Sequence, residues 1–178
     1  MGQDKALIQV QGESLLQRQL VTIQTLGPAE CFISGRAGVN YGAEGIPVLH
    51  DPLPGQGPMA GIARALGACR TPRLLVLAVD LIQMTPVWLE KLLAHSSDTC
   101  GCAPRMHKHW EPLAAVYPKS MLPRIQKHLS AGQLALQGLL DETFSDGQME
   151  SIEVAPNDKQ LFTNLNTPEA LNQFNHQP

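Results

Sequence analysis

Apolar positions Leu15, Leu16, Leu20, Ile23 and Leu26 recur at helical spacing behind Ser14, and Gly27-Pro28 supplies the terminating glycine and the breaker. The pattern predicts an amphipathic helix. Two short apolar runs follow, Cys31-Phe32-Ile33 ending at Ser34-Gly35 and Ile46-Pro47-Val48-Leu49 running into His50-Asp51, and both read as buried strands. Met59, Ile62, Ala63 and Leu66 mark a helix opening after Gly57-Pro58 and fading near Gly67. Leu74-Leu75-Val76-Leu77-Ala78-Val79 is apolar on both faces, as a central parallel strand covered by helices would be, and it ends at Asp80. Thr85-Pro86 caps and opens a helix through Leu89, Leu92 and Leu93.

Beyond about His95 the alternation changes. Thr99 to Ala103 and Leu113 to Tyr117 are two strands joined by the polar stretch Met106 to Glu111, an antiparallel addition. Helices follow on Leu122, Ile125 and Leu129, and on Leu136, Leu139 and Leu140. A late strand lies around Ile152-Glu153-Val154, and Thr167-Pro168-Glu169 opens a terminal helix. The expected fold is α/β: a doubly wound, mostly parallel sheet with an antiparallel addition, in a single domain over residues 1–178. Such a sheet normally begins on an apolar strand, whereas this chain opens on a polar loop.

Composition narrows the chemistry. A formal charge of -3, with 13 Lys plus Arg against 16 Asp plus Glu, and 4% aromatic residues argue against nucleic-acid binding. No apolar run spans a bilayer and the first residues have no signal pattern, so a cytoplasmic protein without a membrane partner is expected. Four cysteines are too few for a disulfide scaffold. In an open α/β sheet ligands bind beyond the carboxyl ends of the strands, which singles out Asp51 and Asp80. A carboxylate ending an apolar strand suits Mg²⁺, commonly held by one or two carboxylates plus substrate phosphates, so Asp80 is the sharper candidate. Turn or capping roles compete at both positions, more strongly at Asp51. Pro54 to Gly61 places glycines ahead of a helix, where free N–H groups meet an anion or a base edge, although it is not a Walker A loop. Lys5 beside Asp4, and Arg36 after Ser34-Gly35, are cations able to neutralise phosphate or simply to be solvated. Cys100, Cys102, His107 and His109 have the spacing of alternating strand and hairpin residues rather than of a usual zinc site.

Taken together, Met1-Gly2-Gln3-Asp4-Lys5-Ala6-Leu7, Ile33-Ser34-Gly35-Arg36, Asp51, Gly57-Pro58-Met59-Ala60-Gly61, Val76-Leu77-Ala78-Val79-Asp80, Pro112 to Tyr117 and Phe162 to Glu169 resemble the molybdenum cofactor guanylyltransferases, in order and over nearly the whole chain. The resemblance implies a Rossmann-like nucleotidyltransferase fold and transfer of GMP from GTP to molybdopterin cofactor, releasing pyrophosphate. It implies Mg²⁺ as cofactor and a molybdoenzyme or cofactor-delivery protein as recipient. Lys5 would contact the triphosphate, Ser34, Asp51 and Gly57 would hold the nucleotide, Asp80 would bind Mg²⁺, and Asn164 and Asn166 would lie on the substrate side. Another nucleotidyltransferase using CTP or a sugar phosphate, or a non-catalytic binding remnant, are the alternatives. Members of that family begin with an apolar strand and a loop of the form Leu-Ala-Gly-Gly-x-Ser-x-Arg-Met-Gly-x-Asp-Lys, and this sequence starts at the methionine. A start assigned inside a longer gene is favoured over a shortened protein, because every later element keeps its pattern. The resemblance then places the absent strand in mid-sheet, so that apolar surface is exposed and Lys5 sits at an untethered terminus that binds GTP weakly.

Overall fold

In the computed structural model the described residues are 4–50 and 55–164. Asp4 caps a 3₁₀ turn at Lys5–Leu7, its Oδ1 accepting from the Ala6 N–H at 3.1 Å. A small hairpin, β1 (Gln9–Val10) and β2 (Glu13–Ser14), leads into α1 (Leu15–Gln24). Ser14 and Gln17 form a reciprocal capping box at its start. Thus the opening segment expected as a polar loop holds regular structure, and it buries Val10 and Ala6.

Two further strands, β3 (Ile33–Gly35) and β4 (Val48–His50), pair in parallel. Helix α2 (Gly57–Ala68) precedes β5 (Arg73–Leu77), and α3 (Pro86–Ala94) follows it, with the Thr85 hydroxyl accepting from the Trp88 N–H. The other strands are β6 (Gly101–Met106), β7 (His109–Trp110), β8 (Ala114–Pro118) and β9 (Met149–Glu153), with α4 (Leu122–Ser130) and α5 (Leu136–Ser145) between the last two. They join β5 in one sheet, ordered β5-β8-β6-β7 with β9 also on β6. The terminal helix expected at Thr167 lies outside the described residues.

The sheet is mixed. Pairs β3·β4 and β6·β9 are parallel, while β5·β8, β6·β8, β6·β7 and β1·β2 are antiparallel. The run at Leu74 was expected to be a central parallel strand. Its described partner is instead the antiparallel β8, and its residues are only half-buried, whereas all of β8 is buried. A continuous apolar run reports cover on both faces, and an antiparallel strand between two helical layers has that cover as well.

Alternating side chains of β8 feed two separate cores. Ala115 and Tyr117 point to the layer of α2, α4 and α5, with Met59, Leu66, Ile125 and Leu140; Ala114 and Val116 point to α3, with Trp88, Leu89 and Phe162. Each face has one tryptophan. Trp88 meets Phe162 edge-on at 5.0 Å and donates to Asp158 at 3.0 Å; Trp110 meets Phe144 at 5.5 Å and donates to Asp141 at 2.8 Å. Beside Trp110, burial pushes the Glu111 carboxyl above its ordinary range. A carboxyl that is harder to ionise when folded costs stability above its raised pKa and nothing below its unfolded value. Glu111→Gln should therefore raise the thermal midpoint at pH 7 by about 2 °C, and the gain should vanish near pH 4, as scanning calorimetry across that range would show.

Between the sheets β3·β4 and β5-β8-β6-β7 lies a cleft of about 640 Å³. Leu16, Leu20 and Ile23 of α1 form one wall, Ile62 of α2 another, and the facing edges of β3 and β5 the sides, through Ile33 and Leu75. Among the described residues β3 is bonded to β4 and β5 to β8, and no strand lies between them. The cleft is thus mostly apolar, with Glu30, Thr71 and Arg73 also in its lining, and has strand edges on both sides.

Candidate nucleotide site

Strand β3 brings Ser34 to the mouth of this cleft, and the turn after β5 brings Asp80. Two bonds fix that turn: the Ala78 N–H donates to the Leu113 carbonyl at 2.7 Å, and buried Gln19 of α1 donates through Nε2 to the Leu81 carbonyl at 2.8 Å. Opposite, the 3₁₀ turn presents Lys5, whose Nζ stands 2.7 Å from Asp80 Oδ2. The Asp80 side chain is 17% exposed and that of Lys5 35%, so both charges sit at a rim rather than in bulk water. A cation on a carboxylate at the carboxyl end of a strand gives a polar pole to a mostly apolar cleft.

The turn is held from behind. Tyr41, buried, donates its hydroxyl to Asp4 Oδ2 at 2.9 Å and accepts from the Arg36 N–H at 2.8 Å, and the Arg36 Nε lies 4.0 Å from the same oxygen. Lys5 is therefore anchored, contrary to the expectation of an untethered terminus. That support comes from the β3–β4 loop, which carries Tyr41.

Gly57 opens α2 with φ +63°, preceded by Gln56, whose side chain makes no capping bond. Pro58, Gly61, Ile62 and Ala65 line the cleft, so one face of α2 forms its wall and the helix opens at its edge. Asn164 follows the 3₁₀ segment Pro156–Phe162 and is exposed; that segment packs under α3, and Asn164 does not line the cleft. Asp51 and Asn166 lie outside the described residues. The structure thus gathers Lys5, Asp80 and Ser34 in the lining of one cleft, with α2, which Gly57 opens, along a wall of it, and leaves Asn164 outside that lining. Cys102 is buried, its thiol pushed up to about 12 by burial, while His107 and His109 are exposed on the β6–β7 hairpin. Among the described residues no group of three or more His, Cys, Asp or Glu could hold a metal.

Sequence reasoning missed Asp4, Tyr41 and Gln19. An aspartate just before Lys-Ala-Leu is a readable cap. A lone tyrosine in the glycine-rich stretch Gly35 to Gly45 is a weaker sign of a loop anchored in a core.

The family model described as the MobA-like NTP transferase domain matches residues 1–147. The chain belongs to the MobA-like NTP transferases. A molybdenum cofactor guanylyltransferase of Pseudomonas putida is 30% identical over 96% of this chain and 87% of its own length. A probable molybdenum cofactor guanylyltransferase of Opitutus terrae is 28% identical over 95% and 85%. The solved structure of molybdopterin-guanine dinucleotide biosynthesis protein A from Archaeoglobus fulgidus superposes with a TM-score of 0.76 at 21% identity, covering 98% of this chain and 90% of that one. The 2-C-methyl-D-erythritol 4-phosphate cytidylyltransferase of Thermus thermophilus superposes at 0.74 and 15% identity, over 96% and 92%. These superpositions establish the nucleotidyltransferase fold for this MobA-like chain, with its mixed sheet.

Proposed function

We propose that this chain transfers GMP from GTP to molybdopterin cofactor. The observation that carries the reading is the Lys5–Asp80 pair at 2.7 Å, set at the carboxyl end of β5 in a chain of this family. In the reaction a terminal phosphate oxygen of molybdopterin forms a bond to the α-phosphorus of GTP, and the bond from that phosphorus to the β-phosphate oxygen breaks, releasing pyrophosphate. Such a transfer needs positioning and charge neutralisation more than a side-chain nucleophile. Lys5 turns its ammonium from Asp80 to the phosphates and offsets their charge. Ser34, Asp51 and the start of α2 at Gly57 hold the nucleotide, and Asn164 and Asn166 serve the acceptor side.

One carboxylate at a strand end fits an ion that arrives already held by phosphate oxygens, as Mg²⁺ commonly is. Asp80 would hold that Mg²⁺, which when bound neutralises the triphosphate. Among the described residues no helix is long and apolar enough to cross a membrane. We place the protein in the cytoplasm, handing its product to a molybdoenzyme or a cofactor-delivery protein.

The test incubates the protein with molybdopterin cofactor, Mg²⁺ and either GTP or CTP, and identifies products by mass spectrometry. A GMP adduct with equimolar pyrophosphate is expected. A CMP adduct formed at the same rate or faster would move the assignment to cytidylyl transfer, and an unchanged acceptor at high enzyme concentration would remove the enzymatic reading.

A further inference from the structure

We infer that Tyr41 is a positioning residue, its phenol strapping the turn that carries Lys5 to the end of β3 and so setting where the ammonium meets the nucleotide's phosphates. The inference rests on the reaction proposed above and concerns a side chain that touches no reacting atom.

The strap uses both roles of one hydroxyl. Its proton goes to Asp4 Oδ2 at 2.9 Å, and its oxygen receives the Arg36 N–H at 2.8 Å. Asp4 divides its two oxygens in the same way, since Oδ1 receives the Ala6 N–H at 3.1 Å and fixes the 3₁₀ turn. The turn, the phenol and the end of β3 therefore form one hydrogen-bonded unit. Lys5 follows Asp4 directly and reaches Asp80 at 2.7 Å.

Steric fit supports the same assignment. The tyrosine ring packs against the backbone at Gly35, where an added Cβ would stand 2.6 Å from a ring carbon. Only glycine leaves room for the ring at that position. The ring is 5% exposed and shares a cluster with Ala6, Leu16 and Ile33, so packing alone would be met by phenylalanine. The hydroxyl has a different purpose. Burial together with the Asp4 carboxylate pushes its pKa up, which keeps the proton that the Asp4 bond requires. A phenylalanine would fill the space and leave the Arg36 N–H and Asp4 Oδ2 without this partner. Asp4 would then still cap the turn, and the tie from that cap to the end of β3 would be left to the 4.0 Å ion pair with the largely exposed Arg36 side chain.

A purely structural phenol and a positioning phenol give different kinetics. Tyr41→Phe should raise KM for GTP about tenfold, the worth of a hydrogen bond to a carboxylate, with kcat within about twofold of the parent. In a Lys5→Met background the same change should add nothing to KM, because the group being positioned is gone. An unchanged KM in Tyr41→Phe, or an equal and additive loss in the Lys5→Met background, would overturn the positioning role. Amide exchange at Ala6 and Leu7 without nucleotide checks the strap independently of the reaction, and about tenfold faster exchange in Tyr41→Phe is expected. Unchanged exchange overturns the inference. Faster exchange in a protein that shows no transfer from GTP supports the strap and overturns the proposed reaction instead.

Discussion

Asp80→Ala should abolish Mg²⁺-dependent transfer while the protein stays folded. The carboxylate stands at the cleft rim, so its removal opens no cavity in either core. It does leave Lys5 without its 2.7 Å partner, but that ammonium is 35% exposed and water can solvate it. The expected cost in stability is below about 1 kcal/mol, whereas loss of charge positioning at the reacting phosphates costs about a hundredfold or more in kcat. Circular dichroism and a turnover assay at saturating Mg²⁺ check the two halves. Near-normal turnover in the variant would refute the metal role of Asp80.

A chain carrying an apolar strand of about five residues and a glycine-rich loop ahead of Met1 should bind GTP more tightly and melt higher than the 178-residue form. The cleft between β3 and β5 is the structural reason. It has apolar walls and strand edges on both sides, so an added strand finds side-chain burial and backbone partners together. Burial contributes roughly 1.5 to 3 kcal/mol per large apolar side chain, against roughly 1 to 2 kcal/mol of backbone entropy per ordered residue. The surplus over five residues is about 3 kcal/mol once strand hydrogen bonds are included, or about 10 °C in thermal midpoint. Since Lys5 is already anchored through Asp4 and Tyr41, the gain in GTP affinity comes from the preorganised amides of the loop, not from ordering Lys5. Calorimetric melting and GTP titration of both forms decide the matter. Equal midpoints and equal affinities would mean that the cleft does not accept a strand.

Elements with strong local signals were legible. Ser14, Gly27-Pro28 and Thr85-Pro86 bracket α1 and start α3 as their capping chemistry requires. The run at Leu74 ends close to Asp80, so the position of the candidate carboxylate followed from the pattern alone. Strand direction did not follow, because antiparallel β5·β8 and a parallel pair look alike when both faces are covered. Nor did the support of Lys5, which depends on a contact from Asp4 to Tyr41 across 37 positions of sequence. Local periodicity has no information about such a partner. The hairpin around His107, with φ +55°, is legible as a polar turn between strands, but β7 within it is not, since two-residue strands are too short to show alternation.

The placement of the two tryptophans decides what emission spectroscopy can see. Trp88 and Trp110 are both buried, on opposite faces of the sheet, each with its own aromatic neighbour and its own carboxylate. Neither lines the cleft. Intrinsic fluorescence is therefore a poor gauge of ligand arrival and a good gauge of layer integrity. Replacing one indole at a time with phenylalanine turns the molecule into a pair of single-probe reporters, one for the α3 side and one for the side of α2, α4 and α5. Denaturation curves from the two would coincide if the layers melt together and separate if one loosens first.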